Sequence, residues 1–174
     1  MTDMKVAGSL IVITAASLLG AAAAKDMDAQ YEELRYISQL LMMLQSEIRY
    51  SRSFLSEAFF QLSKTARAPY DAWLRQLYHR MEGKNSGSFE VVWKKTMNEY
   101  LGNVKLPERI REQIGLLGKY LGGADIQMQI QQIQLVNEEI QMEMKIMWEG
   151  LAAKKKLCRC FGVMGGIFLV VLFI

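Results

Sequence analysis

Few residues of this chain could serve as nucleophiles, acid–base pairs or metal ligands, and their spacing keeps them apart. The soft ligands are two cysteines, Cys158 and Cys160, and one histidine, His79. A structural zinc site takes four Cys or His ligands, and a disulfide framework takes more cysteine than this. Positions two apart on a helix face different directions, so Cys158 and Cys160 are not expected to bridge or to share a metal. They read as interfacial thiols or as a site for S-palmitoylation. His79 lies between Tyr78 and Arg80 on a short helical stretch, the setting of an ordinary, partly exposed histidine. Glu138 and Glu139 are adjacent carboxylates, but helix neighbours point about 100° apart and cannot readily share one substrate. Gly122-Gly123 follows no strand, and the phosphate-loop, serine-hydrolase and zinc-protease motifs are all missing from the sequence. The chemistry of the residues therefore predicts no enzyme and no cofactor or metal site.

What remains is the scaffold that carries these residues. The chain has 174 residues and a formal net charge of +3, much of it in one basic cluster, so no nucleic-acid surface is indicated. Both prolines, Pro69 and Pro107, stand where helices begin, each followed by an acid in the first turn. No alternating β-branched run occurs. Glu82 to Ser88 reads as a loop, and Gly122-Gly123 stops a helix. The spacing predicts a first long helix to about Tyr50, then helices over about Phe54–Thr65, Tyr70–Met81, Phe89–Leu101 and Pro107–Leu121, and a sixth from Ala124 onward. The expected fold class is all-α: a helical bundle of about six helices between N- and C-terminal transmembrane helices.

The membrane expectation rests on the two ends. Cys160 to Ile174 is a run of fifteen uncharged residues, about 22 Å as a helix, and counting from Leu157 with Arg159 snorkelling brings it to about 27 Å. Lys154, Lys155, Lys156 and Arg159 form a basic collar on one side of it, the mark of a cytoplasmic helix end. Val6 to Ala24 is nineteen residues without a charge, flanked by Lys5 and Lys25. Its rival reading is a secretory signal peptide cleaved near Ala22-Ala23-Ala24, which would export the collar against the charge rule. The expected division is therefore residues 1–24 as a first span, 25–156 as a cytoplasmic helical domain, and 157–174 as a second span. Ala16, Gly20 and Ala24 in the first span, and Gly162 and Gly166 in the second, give small-residue spacings that let helix backbones approach in lipid.

The first and last helices carry matching apolar stripes. Leu34, Ile37, Leu41, Leu44 and Ile48 step by three and four, and Ile126, Ile130, Ile133, Asn137, Ile140, Met144, Met147 and Leu151 do the same with one polar member. This coiled-coil-like pattern predicts that the two helices pack on each other. Asn137, as a lone polar residue in the seam, is expected to fix register at a cost in stability, so Asn137→Leu should stabilise the domain while loosening pairing specificity. On the opposite face of the last helix, Met128, Leu135 and Met142 recur every seven residues. A helix apolar on two faces needs two partners, and the second can be a neighbouring subunit. Twelve methionines suit an adaptable contact surface and serve equally as core fillers.

Three blocks in the right order give the sequence a resemblance. Leu44-Gln45-Ser46-Glu47-Ile48-Arg49-Tyr50 is similar to the LETEIxY block of the stage III sporulation protein AB family, Leu121 to Gln129 to its LGxxDxxxQ block, and Gly162-Val163-Met164-Gly165-Gly166 after the basic collar to its LGxLxGL ending. The resemblance covers nearly the whole chain. It implies a body similar to the cytoplasmic domains of type II secretion F proteins, and a non-enzymatic platform subunit of the channel that endospore-forming bacteria build between mother cell and forespore. Its implied location is the mother-cell membrane, and its implied partners are other stage III sporulation channel proteins, a secretion-type ATPase, membrane lipid and further copies of itself. Glu47, Tyr50, Asp125 and Gln129 become candidates for contact or support. Each has a plainer reading: Asp125 complements the positive end of the sixth helix, Gln129 is solvated, and Glu47 pairs with a neighbour. A membrane-tethered adaptor or sensor that regulates another enzyme is the alternative function.

Overall fold

The computed structural model describes the backbone of residues 2–51, 55–83, 87–123 and 125–173, and the side chains of residues 25–50, 55–83, 87–123 and 125–150. Along them run six helices and no strand: α1 (Thr2–Ser51), α2 (Leu55–Ser63), α3 (Tyr70–Glu82), α4 (Phe89–Leu101), α5 (Glu108–Leu121) and α6 (Ile126–Phe173). All six expected helices are present. The prolines sit one place outside the expected position, as the N-cap residues Pro69 and Pro107, with Asp71 and Glu108 in the first turns that follow. Among the described residues no helix is long and apolar enough to cross a membrane. The side chains of the two spans expected at 1–24 and 157–174, including Ala16, Gly20, Ala24, Gly162 and Gly166, lie outside those described, as do Cys158 and Cys160.

The chain divides into two units, Glu32–Glu143 and a second made of Met1–Tyr31 with Met144–Ile174. In the second, the Tyr31 and Trp148 rings lie 6.3 Å apart and tilted, and Met147 is buried. The first holds the aromatic core. Trp93 of α4 is fully buried, meets Trp73 of α3 edge-on at 4.8 Å, and touches Phe59 of α2 at 6.0 Å. Its indole N–H donates to the Ile114 carbonyl of α5 at 2.8 Å, which supplies the partner that a buried indole needs. Gly118 and Gly122 are what bring α5 so close to α4: a Cβ on Gly118 would fall 2.6 Å from the Trp93 ring, and one on Gly122 2.6 Å from Phe89 Cβ. The α4–α5 connection is held by Arg111, whose guanidinium donates to the Leu101 carbonyl at 2.9 Å and the Val104 carbonyl at 2.7 Å.

A polar cluster fastens α1 to the start of α3. Tyr70 donates its hydroxyl to Glu33 at 2.9 Å, and Arg67 reaches the same carboxylate at 2.7 Å while its guanidinium lies 4.1 Å from the centre of the Tyr36 ring. Burial first, and the Glu33 carboxylate second, push the Tyr70 hydroxyl far above the ordinary tyrosine range. A raised folded-state pKa means that this stability is complete below the unfolded value near 10 and is lost progressively as pH rises from there through the folded-state value. Stability should therefore fall above about pH 10, with Tyr70 adding up to about 1.4 kcal/mol per pH unit to the slope. Urea melts of Tyr70→Phe should show a shallower alkaline slope than the wild-type chain.

The stripe of α1 is buried as expected: Leu34, Ile37, Leu41, Leu44 and Ile48 all lie in the core. On α6, Ile130, Ile133, Ile140 and Met147 are buried and Met144 is half-buried, while Ile126 is 47% exposed. The last described side chains of α1, Arg49 and Tyr50, are exposed as well. Asn137 is half-buried and accepts the Ser38 hydroxyl at 2.6 Å, and Gln141 donates to the same hydroxyl at 2.9 Å. Ser38 is 1% exposed, so removing its acceptor strands a buried donor. This reverses the sign expected for Asn137→Leu: the single variant should lose about 1–2 kcal/mol. Adding Ser38→Ala should recover the loss, because no buried hydroxyl is then left unpaired, and a double-mutant cycle by urea denaturation checks both outcomes.

Candidate interaction surface

Among the described residues no three His, Cys, Asp or Glu side chains come together as a metal site. His79 is exposed, its ring 5.3 Å from that of Tyr78. The neighbouring carboxylates diverge, as a helix requires. Glu138 accepts from Gln134 at 3.0 Å, and Glu139 lies 3.9 Å from Arg109 of α5. Nothing in this geometry converges on a substrate.

The block from Leu121 to Gln129 is a structural fastener. Asp125 accepts the Met128 N–H at 2.8 Å through its side chain and the Gln129 N–H at 2.9 Å through its carbonyl, so it caps α6. Gln129 reaches back and donates to the Leu121 carbonyl at 2.7 Å, near the open end of α5. Gly122 completes the turn by leaving Phe89 room. Both polar residues thus have work inside the domain. The plainer reading of Asp125 matches this geometry, and the solvated reading of Gln129 does not.

The other block behaves differently. Ile48 faces the core, Glu47 is half-buried, and Tyr50 stands 82% exposed at the end of α1. Met128, Leu135 and Met142 are 43%, 47% and 59% exposed, on the side of α6 turned away from the seam. Sequence reasoning missed their counterpart on α1, where Met42, Met43 and Arg49 are exposed beside Tyr50. The signal was present, because the five seam residues of α1 leave 42, 43, 49 and 50 on the far side of the wheel. The adjacent Leu41-Met42-Met43-Leu44 obscured it by reading as one apolar run.

The bonds from Ser38 to Asn137 and from Gln45 to the Ile130 carbonyl lay α1 and α6 side by side and antiparallel. Met42, Met43 and Tyr50 of α1 are exposed, as are Met128, Leu135 and Met142 of α6. These exposed side chains are thioethers, a leucine and a tyrosine, residue types that suit contact with another protein.

Comparison with known proteins identifies the family and the fold. A family model described as Stage III sporulation protein AB (spore_III_AB) matches residues 5–174. A solved structure titled Stage III sporulation protein AB (SpoIIIAB) is similar with a TM-score of 0.62 and 19% identity, covering 71% of this chain and 97% of that one. No curated protein sequence matches the chain.

Proposed function

The chain belongs to the stage III sporulation protein AB family, and from that premise we propose that it is a non-enzymatic platform subunit of a channel complex between mother cell and forespore. The observation that carries the proposal is the extent of the family match, which takes in both apolar terminal runs as well as the helical body. In this reading residues 1–24 and 157–174 hold the chain in the mother-cell membrane, and residues 25–156 form a body in the cytoplasm, similar to that of a type II secretion F protein. The basic collar Lys154, Lys155, Lys156 and Arg159 supports the orientation.

The body suits a platform physically. Its charged and polar groups cap helices and tie α1 to α3, α4 to α5 and α5 to α6, so the helices are fixed relative to one another in Glu32–Glu143. Partners then meet surfaces rather than a cleft. Tyr50, Met128, Leu135 and Met142 are the contact residues, with Asp125, Gln129 and Asn137 supporting the elements that present them and Glu47 beside them on α1. The partners are other stage III sporulation proteins and a secretion-type ATPase. Carbonate washing of membranes from sporulating cells, followed by co-purification, tests this. The chain should stay in the membrane and emerge from mild detergent with those proteins. Release by carbonate, or recovery with a single signalling enzyme, would overturn the reading and favour a regulatory adaptor.

A further inference from the structure

Where α5 and α6 run past each other, four large apolar side chains stay more than a third exposed: Leu116 and Tyr120 of α5, Met128 and Leu135 of α6. Two contacts fix how these helices lie within Glu32–Glu143. Gln129 donates to the Leu121 carbonyl near one end, and Arg109 lies 3.9 Å from Glu139 near the other, so α5 and α6 are antiparallel. Counting inward from both contacts, Tyr120 stands level with Met128 and Gln129, and Leu116 stands level with Ile133, within about one turn of Leu135. At about 100° per residue, Leu116 and Tyr120 lie within about 20° of Arg109 around α5, and Met128 and Leu135 within about 40° of Glu139 around α6. Because Arg109 and Glu139 turn toward each other, both stripes border one groove, on the solvent side of the helix pair.

The charges along this groove are unequal. Arg109 is matched by Glu139, and Arg111 is turned to the Leu101 and Val104 carbonyls with Glu108 beside it at 3.7 Å. Asp125 is held in its cap on α6, and Lys119 is exposed at the Tyr120 end. The other end is acidic. Glu112 stands level with about Asn137, so the exposed Glu112 and Glu138 occupy the two outer rims of the groove side by side, and the half-buried Glu143 follows about one turn later on α6. Glu138 accepts from the neutral Gln134 amide, and no cation among the described residues pairs with Glu112, Glu138 or Glu143.

We propose that this groove receives one amphipathic helix of a partner protein, with an apolar stripe over Leu116, Tyr120, Met128 and Leu135 and with lysine or arginine at the end that reaches Glu112 and Glu138. The apolar levels are spaced by about 6–10 Å, one to two helical turns, so side chains at i, i+3 or i+4 and i+7 of a docked helix meet them in turn. A basic end is drawn to the carboxylates and an acidic end is repelled by them, which also sets the direction in which the helix lies. The site rests on the platform reading above, in which Met128 and Leu135 contact other proteins.

Photo-cross-linking in a sporulating, endospore-forming host tests the site. The full chain carries Leu116→p-benzoylphenylalanine in one strain and Leu135→p-benzoylphenylalanine in another, and the linked peptides are sequenced. Both positions should capture the same segment of one other protein, with apolar residues spaced by three and four and a lysine or arginine near one end. Glu112→Lys with Glu138→Lys should cut the yield at both positions about tenfold, and Glu112→Gln with Glu138→Gln should cut it less. Both glutamates are exposed, so the reversed chain should melt with the wild type. A link to a second copy of the chain, to lipid or to a segment without basic residues would overturn the proposal, as would no link or an unchanged yield after charge reversal. Carbonate washing and co-purification from the same cells separate the two readings: a chain retained with its partners but unlinked refutes the groove and leaves the platform standing, and a released chain refutes the platform.

Discussion

Gly118→Ala should destabilise the Glu32–Glu143 unit by about 2–3 kcal/mol, although alanine is the better helix former by about 1 kcal/mol. A Cβ at residue 118 would lie 2.6–2.7 Å from three atoms of the Trp93 side chain, closer than real contacts allow. Trp93 cannot swing away. It is fully buried, is bonded through its indole to Ile114, and is hemmed in by Trp73, Phe59 and Phe89. The clash must instead push α4 and α5 apart and loosen a close-packed core. Trp93→Ala in the same chain should lower the extra cost of Gly118→Ala, because two of the three atoms it strikes, Cγ and Cδ1, are gone and the space of the ring lets the remaining Cβ move away. Equilibrium denaturation of the two single variants and the double measures the coupling, and a Gly118→Ala as stable as wild type would contradict the close approach of α4 and α5.

Arg111→Met should cost about 2 kcal/mol, the second-largest loss expected. The apolar stem is nearly kept, so packing changes little, and what disappears is the pair of charge-assisted bonds to the Leu101 and Val104 carbonyls. These carbonyls belong to the end of α4 and the connection after it, which has only a few backbone bonds of its own, such as Leu106 N–H to Val104. Arg111→Lys supplies one point charge where the guanidinium supplies a fork, and should recover about half the loss. Hydrogen exchange at Val104 and Leu106 should quicken in both variants, more in the methionine variant.

Helices α3 to α6 were legible in the sequence because each is written twice, once in the three-four spacing of its apolar residues and again in a Pro or Gly at its limits, whereas α1 and α2 rest on spacing. The α1 and α6 stripes could be paired on that basis alone. What could not be read was any feature that depends on a distant partner. Asn137 looked like a lone polar residue in an apolar seam, and its role changes sign because Ser38, far away in the sequence, is buried opposite it. Gly118 lies inside α5, where nothing in the sequence marks it out, and is the surface on which Trp93 rests. The Leu121–Gln129 block left contact and support both open, and its Asp and Gln bond to helix ends; periodicity counts side chains and does not see caps. For the candidate surface the sequence exposed half, the α6 stripe, and hid the half on α1 behind a run of four apolar residues.

The central claim is that this chain works through exposed helical faces and not through a reaction centre. Spore counts in an endospore-forming host that lacks its own family member, supplied with this chain carrying Met42→Asp and Leu135→Asp, test that claim most directly. Both positions are exposed, so the melting of the purified variant should match that of the wild-type chain, while the variant should fail to restore sporulation. Full sporulation by a folded variant with both charges would contradict the account.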